Sequence, residues 1–102
     1  MRFYKELYVG EEVKNLTKKK INLKIGKGFL NFYIITLAQN DDQLNIFKAS
    51  QLKQKLFDKK SLKIVGIANN YNEAVQLVVQ ITEDIYKQTG NANIKQFFAE
   101  KM

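Results

Sequence analysis

Residues 29–38 alternate apolar side chains onto both faces of an extended chain: Phe29, Tyr33, Ile35 and Leu37 on one, Leu30, Phe32 and Ile34 on the other. A strand with two apolar faces belongs in the interior of a sheet that is covered on both sides. Gln39 to Gln43 then read as a turn. Residues 44–49 predict a second strand, antiparallel to the first and at an edge, because Asn45 and Lys48 interrupt its apolar pattern. Ser50 is placed to cap a short helix running to Asp58, with Leu52, Leu56 and Phe57 inward. Ser61 or Leu62 to Ala68 predicts a third strand.

The strongest helical period runs over residues 73–89. Asn72 is the expected N-cap, Gly90 the left-handed stop, and Ala74, Val75, Val78, Val79, Ile81, Ile85 and Tyr86 the apolar stripe. Asn91 or Asn93 opens a short last helix carrying Ile94, Phe97 and Phe98. Upstream, residues 10–26 predict a helix. Glu11 and Glu12 suit its positive N-terminus, Val13, Leu16, Thr17, Ile21 and Ile25 share one broad face, and Gly26 and Gly28 end it. Residues 2–9 satisfy both helical and strand periods, and the expectation is a short helix or an irregular lead-in.

These elements define a single α+β domain over residues 1–102, in the order α-β-β-α-β-α plus a short terminal helix. The small three-stranded sheet has spatial order 2-1-3, with the doubly apolar strand in the middle and helices on one face. If residues 2–9 were a strand, the series would become ferredoxin-like, and strand 29–38 would move to an edge.

Composition narrows the chemistry. The chain has no Cys, His or Trp and a single Arg. Thiol chemistry, imidazole bases and the usual zinc sites are therefore excluded, and proton transfer would fall to carboxylates, Tyr or Lys. Asp41 and Asp42 sit in a turn, and Glu83 and Asp84 are adjacent on a helix, so neither pair faces the other as an acid–base or metal dyad. No enzymatic role, cofactor or metal is predicted. No apolar run reaches the roughly 18 residues of a membrane span, and the N-terminal residues lack the pattern of a signal peptide. The expected location is the cytoplasm.

Charge adds an asymmetry. Residues 1–63 carry 14 basic and 6 acidic side chains, a balance of +8, whereas residues 64–102 carry 3 and 4, a balance of −1. The basic side chains concentrate in Lys14, Lys18, Lys19, Lys20, Lys24 and Lys27, and again in Lys53, Lys55, Lys59, Lys60 and Lys63. Six phosphate contacts would give a steep salt dependence on duplex DNA. However, Glu early and Lys late is also what a helix dipole favours, and abundant Lys, Asn and Ile with one Arg suggest A+T-rich codon usage. Asn69, Asn70 and Asn72 stand where a strand passes into a helix N-terminus, a natural anion site, though a capped helix start needs no ligand.

Phe97 and Phe98 are adjacent on a short helix and cannot easily both face one core. With Tyr86 and Ile94 they are the candidate interface residues. The functional expectation is protein–protein association, including self-association; the alternative is binding of nucleic acid or an anionic surface through Lys14–Lys27 and Lys53–Lys63. The segments Phe32 to Ala38, Ile64 to Ala68, Tyr71 to Ala74 and Asp84 to Tyr86, with Thr89-Gly90, resemble small uncharacterised proteins of low-G+C Gram-positive bacteria. That resemblance implies no activity for any residue here.

Overall fold

A computed structural model describes residues 1–28, 30–39, 43–53 and 60–102. Among them the chain forms β1 (Arg2–Val9), α1 (Leu16–Ile25), β2 (Tyr33–Leu37), β3 (Leu44–Lys48), a 3-10 turn (Ala49–Lys53), β4 (Lys63–Ala68), α2 (Tyr71–Thr89) and α3 (Ile94–Ala99). The expectations for Phe29, for the turn residues Asn40 to Asp42, and for Lys55, Leu56, Phe57, Asp58 and Lys59 lie outside the described residues.

Among the described residues the sheet has four strands, in the order β1-β4-β2-β3. Its last three members keep the expected arrangement, with β2 antiparallel to both β3 and β4 and lying between them. The correction is β1. Residues 2–9 form a strand parallel to β4 on its outer side, because alternation sends Phe3 and Leu7 to one face of the sheet and Tyr4 and Tyr8 to the other. The i, i+4 spacing of the same residues satisfies a helix as well, but only a strand places apolar side chains in both cores. The result is not ferredoxin-like, since β2 is interior rather than at an edge.

Helices cover both faces, not one. On one side, Leu23 of α1 and Ala49 and Leu52 of the 3-10 turn close over Leu30, Phe32, Ile34, Leu62, Ile64 and Ile67. On the other, Ala74, Leu77, Ile81 and Ile85 of α2, with Ile94 and Phe98 of α3, close over Ile35, Val65 and Ala68. Fully burying each of these aliphatic side chains stabilises by roughly 1.5–3 kcal/mol before entropy is counted. One buried polar group breaks the apolar pattern: Thr36 of β2 is inaccessible, and its hydroxyl has no hydrogen-bond partner among the described residues. An orphaned hydroxyl of this kind costs about 1–3 kcal/mol.

Helix α1 is shorter than expected. Gly10 continues the β1–β4 ladder through its N–H to the Ile67 carbonyl (2.9 Å), and Glu11 and Glu12 form a turn. Asn15 then turns the chain through a left-handed conformation (φ 55°), and the helix starts at Leu16. Its inward face is also rotated from the expected one. Leu23 is buried, while Ile21 (52% exposed) and Ile25 (58% exposed) look outward. Lys19 and Lys20 take inward-flanking positions, which the apolar stems of lysine permit. The end at Gly26 is as expected: a left-handed glycine (φ 68°) whose N–H donates to the Asn22 carbonyl.

Candidate functional site

Helix α2 is more apolar than its seat on the sheet requires. Asn70, not Asn72, caps it, accepting the Glu73 N–H at 2.9 Å; Gly90 ends it with φ 77°. Ala74, Leu77, Ile81 and Ile85 face inward. Leu77 was absent from the expected stripe, whereas Val75, Val79 and Tyr86 were included and lie outside. They are 38%, 51% and 59% exposed, and Tyr71 is 55% exposed. At about 100° per residue, Tyr71, Val75, Val79, Thr82 and Tyr86 fall within an arc of roughly 80° beside the buried face. Val78 bridges the two faces, half-buried against the core. The Thr82 hydroxyl donates to the Val78 carbonyl (2.8 Å), so its polar demand is met inside the helix.

The stripe faces the β3 side of the sheet. The Tyr71 ring meets Tyr33 of β2 edge-on (5.9 Å between centroids, 73°). Glu73 and Asp84, on the other flank of α2, reach the β1 side. Strand β3 ends the described sheet on the stripe side, with Leu44 and Ile46 half-buried on the same face. The stripe and this strand form one apolar region that no described element covers fully.

The candidate interface on α3 is different from expectation. Tyr86 belongs to the α2 stripe, but Ile94 and Phe98 are core residues, 4% and 0% exposed. Phe98 packs edge-on against Tyr4 at 4.9 Å, and Phe97 packs edge-on against Phe98 at 5.3 Å. The Lys101 ammonium lies 4.9 Å from the Phe97 ring centre. Adjacent aromatics can both serve one core here because Phe98 enters it and Phe97 covers it from the side.

The lysines gather on the opposite layer. Lys14, Lys18, Lys19, Lys20, Lys24 and Lys27 lie on or beside α1. Lys53 Nζ reaches the Gly28 carbonyl at 3.4 Å, so the described start of the second cluster shares that layer. Three of the six heads are engaged internally. Lys20 and Lys24 lie 5.0 and 5.5 Å from the centre of the Phe3 ring, and Lys19 lies 5.7 Å from that of Phe32 while donating to the Lys14 carbonyl. Farther along, the N-terminal ammonium donates to the Lys60 carbonyl, and Arg2 pairs with Lys63 in the β1–β4 register.

The helix start at Asn69 to Glu73 is already occupied by carboxylate. Glu73 Oε1 accepts the Asn69 N–H (2.7 Å) and Oε2 the Glu12 N–H (3.0 Å), while the Asn70 side-chain amide donates to Glu12 Oε2 (3.0 Å). The expected anion position is thus filled by the protein's own side chain, which ties the end of β1 to α2. Gly10 makes room for it, since a Cβ there would overlap the Glu73 carboxylate. Asn72 is exposed on the first turn.

A cleft of about 520 Å³ runs along β1, lined by Tyr4, Glu6, Tyr8, Gln88, Phe97 and Lys101 among others. It follows the arch where Tyr4 to Leu7 of β1 lie against the single residue Val65 of β4. Burial raises the pKa of both tyrosines. At Tyr8 the hydroxyl's donation to Asp84 (2.9 Å) adds to it, and at Tyr4 the nearby Glu6 charge. Both hydroxyls therefore keep their protons through the neutral range and offer no base there. Among the described residues, no group of three or more His, Cys, Asp or Glu is placed to hold a metal ion, and no helix is long and apolar enough to cross a membrane.

Comparison with protein-family models, curated proteins and solved structures found no match. The functional reading rests on the geometry alone.

The Glu73 latch has a measurable consequence. Glu73→Ala and Gly10→Ala should each destabilise by about 1–2 kcal/mol in urea unfolding. The double variant should cost clearly less than their sum, because both changes disrupt one set of hydrogen bonds. Full additivity would mean that the two residues act independently.

Proposed function

We propose that this is a non-enzymatic cytoplasmic protein that acts through protein–protein association, and that it self-associates. The observation that carries the reading is the apolar stripe of Tyr71, Val75, Val79 and Tyr86 along α2, exposed beside the half-buried Leu44 and Ile46 of β3. Single exposed apolar residues are ordinary on a protein surface; a contiguous row running the length of a helix marks an interaction site. The two tyrosines suit that use, since they contribute large contact area at small entropic cost and keep a polar tip. The chemistry of the β1 cleft favours the same reading, because its tyrosines stay protonated and Asp84 is engaged by Tyr8.

Self-association is checked by light scattering after size-exclusion chromatography. At ~100 µM, in the range where modest interfaces are populated, the mass should approach twice the 11.9 kDa of the single chain. It should fall back towards one chain on dilution and in the Val79→Glu variant. A single-chain mass throughout would overturn the self-association.

A second reading, binding of nucleic acid or an anionic surface, is favoured by one observation: Lys53 joins the α1 lysines on a single layer of the molecule. It predicts affinity for mixed-sequence DNA, RNA or anionic vesicles at ~50 mM salt that falls steeply as salt rises. Absence of binding at that salt concentration would remove it.

A further inference from the structure

The apolar stripe of α2 reads the same in both directions. Its exposed members are Tyr71, Val75, Val79 and Tyr86, and the half-buried Thr82 and Val78 complete it. Reversed about the midpoint between Val78 and Val79, Tyr71 falls on Tyr86, Val75 on Thr82 and Val78 on Val79. The Val75–Thr82 match is chemical as well as positional: both are β-branched, and the Thr82 hydroxyl is engaged within its own helix by the Val78 carbonyl. A contact with an unrelated protein places no such symmetry on a helix. A two-fold axis does not require it either, but it sets residue i of one copy against j of the other and j against i, and this stripe is complementary to itself under that operation, each tyrosine meeting a tyrosine and each small β-branched residue another.

We infer that the occupant of this stripe is α2 of a second copy of the chain, packed antiparallel across a two-fold axis at Val78 and Val79. The inference rests on the association reading above and specifies its geometry. Small valines at the axis allow the 8–10 Å separation of packed helices, and a tyrosine closes each end. A helix of 19 residues gives a contact line of about 28 Å. The polar arc beside the stripe holds Asn72, Gln76, Glu83 and Lys87. Reversal sets Glu83 of one copy beside Asn72 and Gln76 of the other, so like charges do not oppose.

Net charge selects the same face. Each copy carries +7, so two copies repel, and the cost depends on which surfaces meet. Residues 64–102, which include α2 and α3, have a balance of −1. Joining through α2 puts both basic α1 layers on the far sides of their sheets, where mutual repulsion is smallest.

The chain has no native cysteine, so introduced ones report cleanly. Val79 is half exposed, and replacing it leaves the core intact, which circular dichroism checks. In an antiparallel pair, the two copies of residue 79 lie next to the axis, whereas the two copies of residue 71 lie about 22 Å apart along it. A disulfide needs Cα atoms within about 7 Å. Under mild oxidation at ~100 µM, Val79→Cys should become a covalent dimer. The double variant Tyr71→Cys/Tyr86→Cys should cross-link, and Tyr71→Cys or Tyr86→Cys alone should not. If light scattering shows a dimer but Val79→Cys fails to cross-link, or Tyr71→Cys alone cross-links, the two-fold α2 contact is overturned while self-association stands. A single-chain mass at every concentration overturns both.

Discussion

Strand β2 is apolar on both faces, and much of the molecule follows from where such a strand can go. Ile34 and Ile35 point to opposite sides of the sheet and are both fully buried. Neither face can be left to water, so β2 must be interior in the sheet and the sheet must be covered twice. β3 and β4 flank it. One cover comes from α1 and the 3-10 turn, the other from α2 and α3. Even the polar exception follows from this position: Thr36, on the same strand, is sealed from solvent, and its hydroxyl has no partner among the described residues.

The two covers are chemically unlike. α1 is short and lysine-rich, with Leu23 as its one fully enclosed side chain. Its lysines complete the layer by laying stems along the core and ammonium groups near Phe3 and Phe32. The basic cluster therefore has a structural use, whatever else it does. α2 is long and buries one row of aliphatic residues while presenting a second row beside it. The charge asymmetry along the sequence thus becomes an asymmetry across the sheet, with a basic layer on one side and a nearly neutral, apolar one on the other. The proposed association face lies on the second, where desolvation of ammonium groups opposes contact least.

Much of this was legible in the residues. The two faces of strand 29–38, the order of the last three strands, the glycine stop of α2 and the opening of α3 at one of Asn91 or Asn93 follow from alternation and capping chemistry. β1 was hidden because Phe3, Tyr4, Leu7 and Tyr8 satisfy both periods, and pairing with β4 decides between them. α1 was over-extended because Glu11 and Glu12 imitate a first helical turn, whereas the Glu73 carboxylate holds Glu12 in the loop. The cap moved from Asn72 to Asn70, two residues of one type whose choice depends on where the β4 ladder stops. Spacing places Val75 and Val79 in the apolar stripe of α2 but cannot separate its buried half from its exposed half, since they are spaced like Ala74, Val78 and Ile81. Phe97 and Phe98 suggested an open surface because their neighbour Tyr4 is more than 90 residues away in sequence.

The central position of β2 is tested most directly by native-state amide hydrogen exchange measured residue by residue. Opening free energies reach the global value only where exchange requires complete unfolding. The amides of Ile34 to Thr36, with those of Ile64 to Ile67 in β4, should be the slowest, with opening free energies equal to that of global unfolding. The arched β1 residues Tyr4 to Leu7 should exchange through local opening. Protection in β2 no greater than in Tyr4 to Leu7 would contradict the account.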